Sequence, residues 1–212
     1  MARDGLPFVV GGIGVGLAFI ALWLVFRWEP WRVLGVVSII FGLFCAFFFR
    51  DPDRVTPAEP GAVVSPADGK VVEIARENDR YVGPDAQRVS VFLSIFDVHV
   101  NRVPISGRVA GVEYRRGKYL VAFAGKASAG NEQTHVGIET ERGIVAFKQI
   151  AGFIARRIVC TLSPNDSVQV GQRCGLIRFG SRVDIIMPPE ARVRVARGQR
   201  VVGGQTIIGV LP

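Results

Sequence analysis

Cysteine and histidine are scarce in this chain of 212 residues, which has 3 cysteines (Cys45, Cys160 and Cys174) and 2 histidines (His99 and His135). No CxxC pair occurs and Cys45 lies inside an apolar run. A disulfide framework and a zinc site built from Cys and His are therefore both unsupported, and no metal is expected. A reducing, cytoplasmic face is the simplest home for such a domain. Helix-period patterns are scarce beyond the N-terminal region. Aromatic-rich binding motifs and groove-reading helix patterns are missing, which argues against nucleic acid as a partner despite a net charge of +8.

The apolar residues are concentrated at the N-terminus. Residues 7–26, PFVVGGIGVGLAFIALWLVF, carry no charge and as a helix reach about 30 Å, the thickness of a hydrocarbon core. A second uncharged run, VLGVVSIIFGLFCAFFF, covers 33–49. Between them, Arg27, Trp28, Trp31 and Arg32 pair amphipathic aromatics with snorkelling cations, and Pro30 is expected to break the helix. These features predict a membrane-anchoring helical hairpin over residues 1–49, in which Gly12 and Gly16 let the helices approach closely. A hairpin buried in a soluble fold is the main alternative. Residues 1–54 hold five Arg against four acids, so the remaining 158 residues carry 21 cations against 14 acids, or +7. A basic domain beside a bilayer is drawn to anionic headgroups, by about 1 kcal/mol per nearby cation. The expected location is the inner (cytoplasmic) cell membrane, with the domain on its cytoplasmic face.

Residues 50–62, RDPDRVTPAEPGA, are rich in proline and charge and mark a linker. From 63 to 212 short β-rich runs are broken by Gly, Pro, Asn and Asp, predicting a mostly β barrel or sandwich. Residues 152–159 fit a short helix or a strand equally well. The stretch VQVGQRCGLIRF at 168–179 is echoed by RVARGQRVVGGQTIIGV at 194–210. Such turns resemble those of the barrel-sandwich hybrid of biotinyl and lipoyl carrier domains, a likeness of topology alone. Carriers present a modified lysine at a hairpin tip, and Lys70, Lys118, Lys126 and Lys148 lack the flanking pattern.

The most informative stretch is GLIRFGSRVDIIMPPE at 175–190, with Gly180-Ser181 between two apolar runs. A glycine leaves its carbonyl open to attack and tolerates strained backbone angles, so the pair suits self-cleavage, although an ordinary Gly-Ser turn reads the same. Around it stand FFRDPDRVTP (48–57), SPADGKV (65–71), FLSIFDVHVNRVPISG (92–107), VGIET (136–140), KQIAGFIARRIV (148–159) and FGSRVD (179–184). In this order, over nearly the whole chain, they closely resemble the short-chain bacterial phosphatidylserine decarboxylases, a family of pyruvoyl enzymes.

The resemblance implies that the chain cuts itself between Gly180 and Ser181, giving residues 1–180 as the larger (β) subunit and 181–212 as the smaller (α) subunit. Ser181 becomes the pyruvoyl group, which forms a Schiff base with phosphatidylserine and releases carbon dioxide to leave phosphatidylethanolamine. No other organic cofactor and no metal are implied. His99 is the leading base for self-cleavage or proton donor in decarboxylation, and Asp68 matches the acidic position of the family's Asp-His-Ser arrangement. Larger relatives carry two histidines three residues apart, and Arg102 stands here at the second position. Arg102, Arg115 and Arg116 are candidates for the lipid phosphate or carboxylate, though a solvated basic face explains them equally, and His135 reads as structural. Partners implied are phosphatidylserine in an anionic membrane and the two subunits of one precursor; a homo-oligomer is compatible with the sequence. Two alternatives remain: an archaetidylserine-type decarboxylase of the same family, and a non-enzymatic, membrane-tethered biotinyl-like binding module.

Overall fold

Both uncharged N-terminal runs are helical in the computed structural model, which describes residues 1–117, 130–152, 158–177 and 181–212. Helix α1 spans Leu6–Phe26 and α2 spans Glu29–Phe48. The break falls earlier than Pro30. Arg27 adopts a left-handed conformation (φ 52°) and donates its N–H to Trp23 O at 2.8 Å, ending α1. Pro30 sits in the first turn of α2, where its fixed φ is favourable and its missing N–H costs nothing. The second helix thereby reaches 20 residues, about 30 Å at about 1.5 Å per residue.

The helices meet along glycines. A Cβ added at Gly12 would stand 2.9 Å from Gly42 Cα, and one added at Gly16 would stand 2.9 Å from Gly35 O, so small residues set the approach. Away from that seam Val10, Leu17, Leu24, Val25, Val33, Val37, Ile40 and Leu43 are exposed. By length and composition each helix can cross a membrane.

Chain contacts divide the molecule into residues 1–52 and 53–212. The second unit is mostly β. Its strands are β1 (Ala62–Val64), β2 (Gly69–Asp79), β3 (Gly83–Leu93), β4 (Val100–Arg102), β5 (Gly107–Arg115), β6 (Gln133–Thr140), β7 (Gly143–Ala151), β8 (Ile158–Cys160), β9 (Ser167–Val168), β10 (Arg173–Ile177), β11 (Ser181–Met187), β12 (Arg192–Val193), β13 (Arg200–Val201) and β14 (Ile207–Val210). Eight of them form one sheet in the order β13-β2-β3-β11-β7-β6-β5-β9, flanked by two three-stranded sheets, β1-β14-β12 and β4-β10-β8. The ambiguous segment ends in strand β8; its residues 153–157 lie outside the described part.

Period-two alternation explains the layering. Val183, Ile185 and Met187 of β11 join Val89, Val91, Leu93, Val136, Ile138, Val145 and Phe147 in one apolar cluster. Ile186 belongs instead to a small cluster with Ala86 and Ala146, so the large sheet turns one face to the core and the other to a polar surface. The repeated V-x-x-G-Q-R motif is a turn used twice. Gln172 N–H donates to Gln169 O while its Oε1 accepts from Gln169 N, and Gln199 does the same with Ala196. Gly171 (φ 78°) and Gly198 (φ 92°) occupy the third position, where a type II turn demands positive φ.

Phe147 is fully buried at the middle of the core cluster. Phe147→Ala is expected to destabilise the β unit by about 3–5 kcal/mol. The measurement is urea unfolding of the full chain in detergent followed by the β-sheet circular dichroism signal, because Trp23, Trp28 and Trp31 all lie in the hairpin region. A loss below about 1 kcal/mol would show that this face is not packed as described.

Candidate active site at the start of strand β11

All seven residues of strand β11 are buried, and of its polar side chains Arg182 and Asp184 are paired with each other. It lies inside the sheet, with Ser181 opposite Leu93 of β3 and Ala151 of β7. By alternation from Val183, the Ser181 side chain is on the core face. It is fully buried, and its Oγ has no hydrogen-bond partner among the described residues. Leaving a hydroxyl so costs about 1–3 kcal/mol, and a native fold keeps such an atom for a reason. Gly180, the predicted partner in cleavage, lies outside the described residues.

The chain leaves β3 at Leu93, the residue facing Ser181, and turns at once. Ser94 N–H and Oγ both donate to Asp97 Oδ2, at 2.8 and 2.7 Å. This turn brings His99 back to the same end of the sheet, where its main-chain O accepts from Ile177 N at 3.4 Å, four residues before Ser181. His99 is 2% exposed, and its Nδ1 is 2.9 Å from Asp97 O. A carbonyl can only accept, so Nδ1 carries a hydrogen, and Nε2 is the nitrogen that accepts when the ring is neutral.

Asp68 precedes β2 at this same end, since Lys70 pairs with Phe92 and Phe92 with Arg182. Its Oδ2 accepts from Arg54 Nη2 at 2.9 Å and its Oδ1 from Gly203 N at 2.7 Å. Arg102 is buried, with Nη1 donating to Gly171 O at 3.0 Å. Arg115 and Arg116 are exposed. Arg115 stands in the row Arg115, Gln133, Ile150, Arg182, three strands from β11, or about 14 Å at about 4.8 Å per strand. The structure thus gathers Ser181, His99 and Asp68 at one end of the sheet and leaves the exposed arginines to the side. Among the described residues no cluster of three His, Cys, Asp or Glu could hold a metal ion.

The sequence profile of phosphatidylserine decarboxylase matches residues 41–209, most of the chain. The chain belongs to the phosphatidylserine decarboxylase family. A protein named phosphatidylserine decarboxylase proenzyme from Geotalea uraniireducens (strain Rf4) is 44% identical over 215 residues, covering 100% of this chain and 97% of that protein. One so named from Chlorobium chlorochromatii (strain CaD3) is 48% identical over 193 residues, covering 91% and 90%. Another, from Chlorobium phaeobacteroides (strain BS1), is 43% identical over 205 residues, covering 97% and 96%.

The polar face behind this decarboxylase-family site carries groups that sequence reasoning passed over. Arg182, fully buried, donates through Nε to Asp184 Oδ1 at 2.6 Å and through Nη2 to Glu73 Oε2 at 2.8 Å and Ser90 Oγ at 2.6 Å. Arg88 reaches Glu73 at 3.0 Å and Glu77 at 2.7 Å; Lys148 joins Glu77 at 2.8 Å to Asp79 at 3.3 Å; His135 Nε2 is 3.2 Å from Asp79 Oδ2. The signal was the charge alternation of GKVVEIAREND together with Arg182-x-Asp184. A cleft of about 470 Å³ opens over this ladder between Arg80, Glu113, Arg115 and His135, on the face opposite the Ser181 side chain.

Burial opposes ionisation of Asp79, but the His135 ring, the Tyr81 N–H and the Lys148 ammonium outweigh it and hold the carboxyl well below its usual range. Hydrogen bonding to Arg88, stronger than the opposing effect of burial, and then to Arg182 lowers Glu73 as well. Groups depressed in the fold take up protons on unfolding. Their stabilisation is full above the unfolded values, about 3.9 for Asp and about 4.3 for Glu, and is lost as pH falls through the folded ones. The melting temperature is therefore expected to fall between about pH 5 and about pH 2. Asp79→Asn should lower it at neutral pH and flatten that fall; an unchanged acid slope in the variant would remove Asp79 from the account.

Proposed function

We propose that this chain is a phosphatidylserine decarboxylase proenzyme that cuts itself after Gly180 and turns Ser181 into a pyruvoyl group. The observation that carries the reading is the buried Ser181 Oγ at the head of a central strand, without a hydrogen-bond partner among the described residues, in a chain alike end to end to proteins named proenzymes of this kind. The group is made from Ser181 itself, so its cradle is the small space between Leu93 and Ala151 that Ser181 fills.

In the proposed sequence Ser181 Oγ adds to the Gly180 carbonyl carbon as its proton passes to His99 Nε2. The tetrahedral adduct collapses with breakage of the Gly180–Ser181 C–N bond; the nitrogen takes the proton, leaving an ester. Loss of the Ser181 Cα proton expels the Gly180 carboxylate from Cβ and gives dehydroalanine. Tautomerisation and addition of water then release ammonia and leave the pyruvoyl group at the head of residues 181–212. That group supplies the electron sink for loss of carbon dioxide from the serine headgroup. His99, its tautomer fixed by Asp97 O, returns a proton to the headgroup carbon. Asp68, the acidic member of the arrangement, is held in place by Arg54 and Gly203.

Buried Arg102 shapes the site from beneath, while exposed Arg115 and Arg116 suit an anionic membrane surface better than the reacting centre. The two apolar helices anchor the enzyme to the inner membrane, facing the cytoplasm, where phosphatidylserine is met in the bilayer plane. The twin V-x-x-G-Q-R turns support a barrel-sandwich relationship of the kind found in biotinyl and lipoyl domains as part of this proposal.

Intact-mass measurement tests the reading. Wild-type protein should yield two polypeptides, and Ser181→Ala one whole, inactive chain. Ser181→Thr keeps a hydroxyl with a restricted χ1 and should cleave slowly and in part, leaving a 2-ketobutyryl group. Cutting after Gly180 in Ser181→Ala would end the proposal. His99→Ala should slow self-cleavage, decarboxylation or both by about 10²–10⁴-fold; wild-type rates of both steps would take His99 out of the chemistry, and normal cleavage without decarboxylation would assign it to the lipid reaction.

A further inference from the structure

The turn that follows β3 carries the wrong residues for a turn in water. Asp97 N–H donates to Ser94 O at 3.0 Å, which makes Ile95 and Phe96 its central pair. Such positions ordinarily take Gly, Pro, Asn, Asp or Ser. Ile95 is 36% and Phe96 65% exposed, and Phe96 is the most exposed aromatic side chain among the described residues of the β unit. The turn is nonetheless firmly held, because Asp97 Oδ2 accepts from both the N–H and the Oγ of Ser94. Side chains that contradict local turn chemistry and stand in water on a fixed support point to a surface that covers them.

The surroundings are basic. Ser181 stands opposite Leu93, the last residue of β3, so the turn leaves the sheet at the end where Ser181 lies. In the next row, Arg182 pairs with Phe92, Phe92 with Lys70 of β2, and Lys70 with Arg200 of β13. Lys70 and Arg200 are exposed, and Arg200 Nη1 is 3.4 Å from Asp97 Oδ1, at the base of the turn. Exposed Arg197 lies in the adjoining turn, whose Gly198 N–H donates to Val71 O at 2.8 Å. The acids of this end, Asp97 and Asp68, are already engaged, by Ser94 and Arg200 and by Arg54 and Gly203. An apolar tip ringed by cations matches an anionic bilayer, apolar within and negative at its face. Two side chains at a turn offer far less than the about 800 Å² that a stable protein partner covers on each side.

We propose that the Ser94–Asp97 turn is a membrane-inserting tip: Ile95 and Phe96 enter an anionic bilayer, Lys70, Arg197 and Arg200 meet its headgroups, and the end of the sheet that bears Ser181 and His99 is docked on the surface that holds the lipid. The inference deepens the decarboxylase reading and rests on it, since only a substrate lying in a bilayer requires the site to be brought there. Two helices long and apolar enough to cross a membrane keep the chain at a bilayer; the tip decides which face of the β unit meets it. Withdrawal of one large apolar side chain from water favours the docked state by about tenfold or more, and each cation near an anionic surface by about fivefold.

The test uses the full chain in phosphatidylcholine vesicles with and without phosphatidylglycerol, an anionic lipid that is not the substrate. A nitroxide attached at Phe96→Cys should be relaxed by membrane-dissolved oxygen and shielded from a water-soluble nickel complex, more so with the anionic lipid. One at Pro84→Cys, exposed beside the hairpin turn at the far end of β2 and β3, should be open to nickel. Wild-type protein treated alike gives the background of Cys45, Cys160 and Cys174. Ile95→Ser combined with Phe96→Ser should lose about tenfold or more on vesicle-borne phosphatidylserine relative to monomeric short-chain phosphatidylserine, with circular dichroism to establish folding. Lys70→Gln with Arg200→Gln should cut the gain from phosphatidylglycerol by about fivefold per charge. Nickel access at 96 equal to that at 84 overturns the proposal, as does an unchanged ratio in the folded serine variant; if that variant does not fold, the nitroxide decides. Exclusion of nickel and oxygen alike, with spin–spin broadening, would seat a second copy of the chain on the tip and overturn it too. A wild-type chain that leaves phosphatidylserine unchanged ends the decarboxylase reading without altering the nitroxide result, whereas an active one with a nickel-exposed nitroxide ends only the membrane contact.

Discussion

Strand β11 is hydrogen-bonded along both edges, to β3 and to β7, and each of its neighbourhoods depends on that double pairing. A strand so placed cannot shift register by one residue without exchanging its faces. The exchange would drive Arg182 and Asp184 into the apolar cluster and turn Val183, Ile185 and Met187 out toward the charge ladder. The side-chain pattern thus locks the strand, and the lock sets the height of Ser181 against Leu93 and Ala151. The Ser94–Asp97 turn and the His99 carbonyl lie at the same end of the sheet. A hydroxyl with little freedom of its own is in this way delivered to a fixed point.

The charge ladder behind the strand is costly to bury, and its geometry explains why it is tolerated. Arg182 donates to Asp184, Glu73 and Ser90, at 2.6 to 2.8 Å, on three different strands. Paired, hydrogen-bonded ions recover most of their desolvation energy, whereas removal of one partner leaves an uncompensated charge. Such a network adds little net stability but discriminates strongly against misplacement of β2, β3 and β11. The consequence is rigidity of the strand that carries Ser181.

Much of this was legible in the residues. The uncharged runs dictated two helices and alternation with frequent Gly and Pro dictated short strands, while His99 and Ser181 stood out only through the motifs FDVHVNRVP and FGSRVD and the family they resemble. Pro30 misled because proline both breaks helices and begins them, and only the left-handed Arg27 shows which applies. Asp68 was legible as a turn residue, yet its bonds to Arg54 and Gly203 span 14 and 135 positions, distances no local pattern reports.

The position of the bond before Ser181 also determines what a cut there would do to the fold. Residues 181–212 supply β11 inside the large sheet, β13 at its edge against β2, and β12 and β14 beside β1. Val183, Ile185, Met187, Ile208 and Leu211 from this segment are almost wholly buried against residues that precede position 180, and each such side chain is worth about 1.5–3 kcal/mol. Severing one peptide bond removes none of these contacts and none of the ladder hydrogen bonds. The smaller piece would stay as the central strand of the larger one, and the new terminus would be held where the serine had been. A cut at the head of an interior strand would therefore cost the fold none of its packing, whereas the same cut before an edge strand would leave the smaller piece held along one side only.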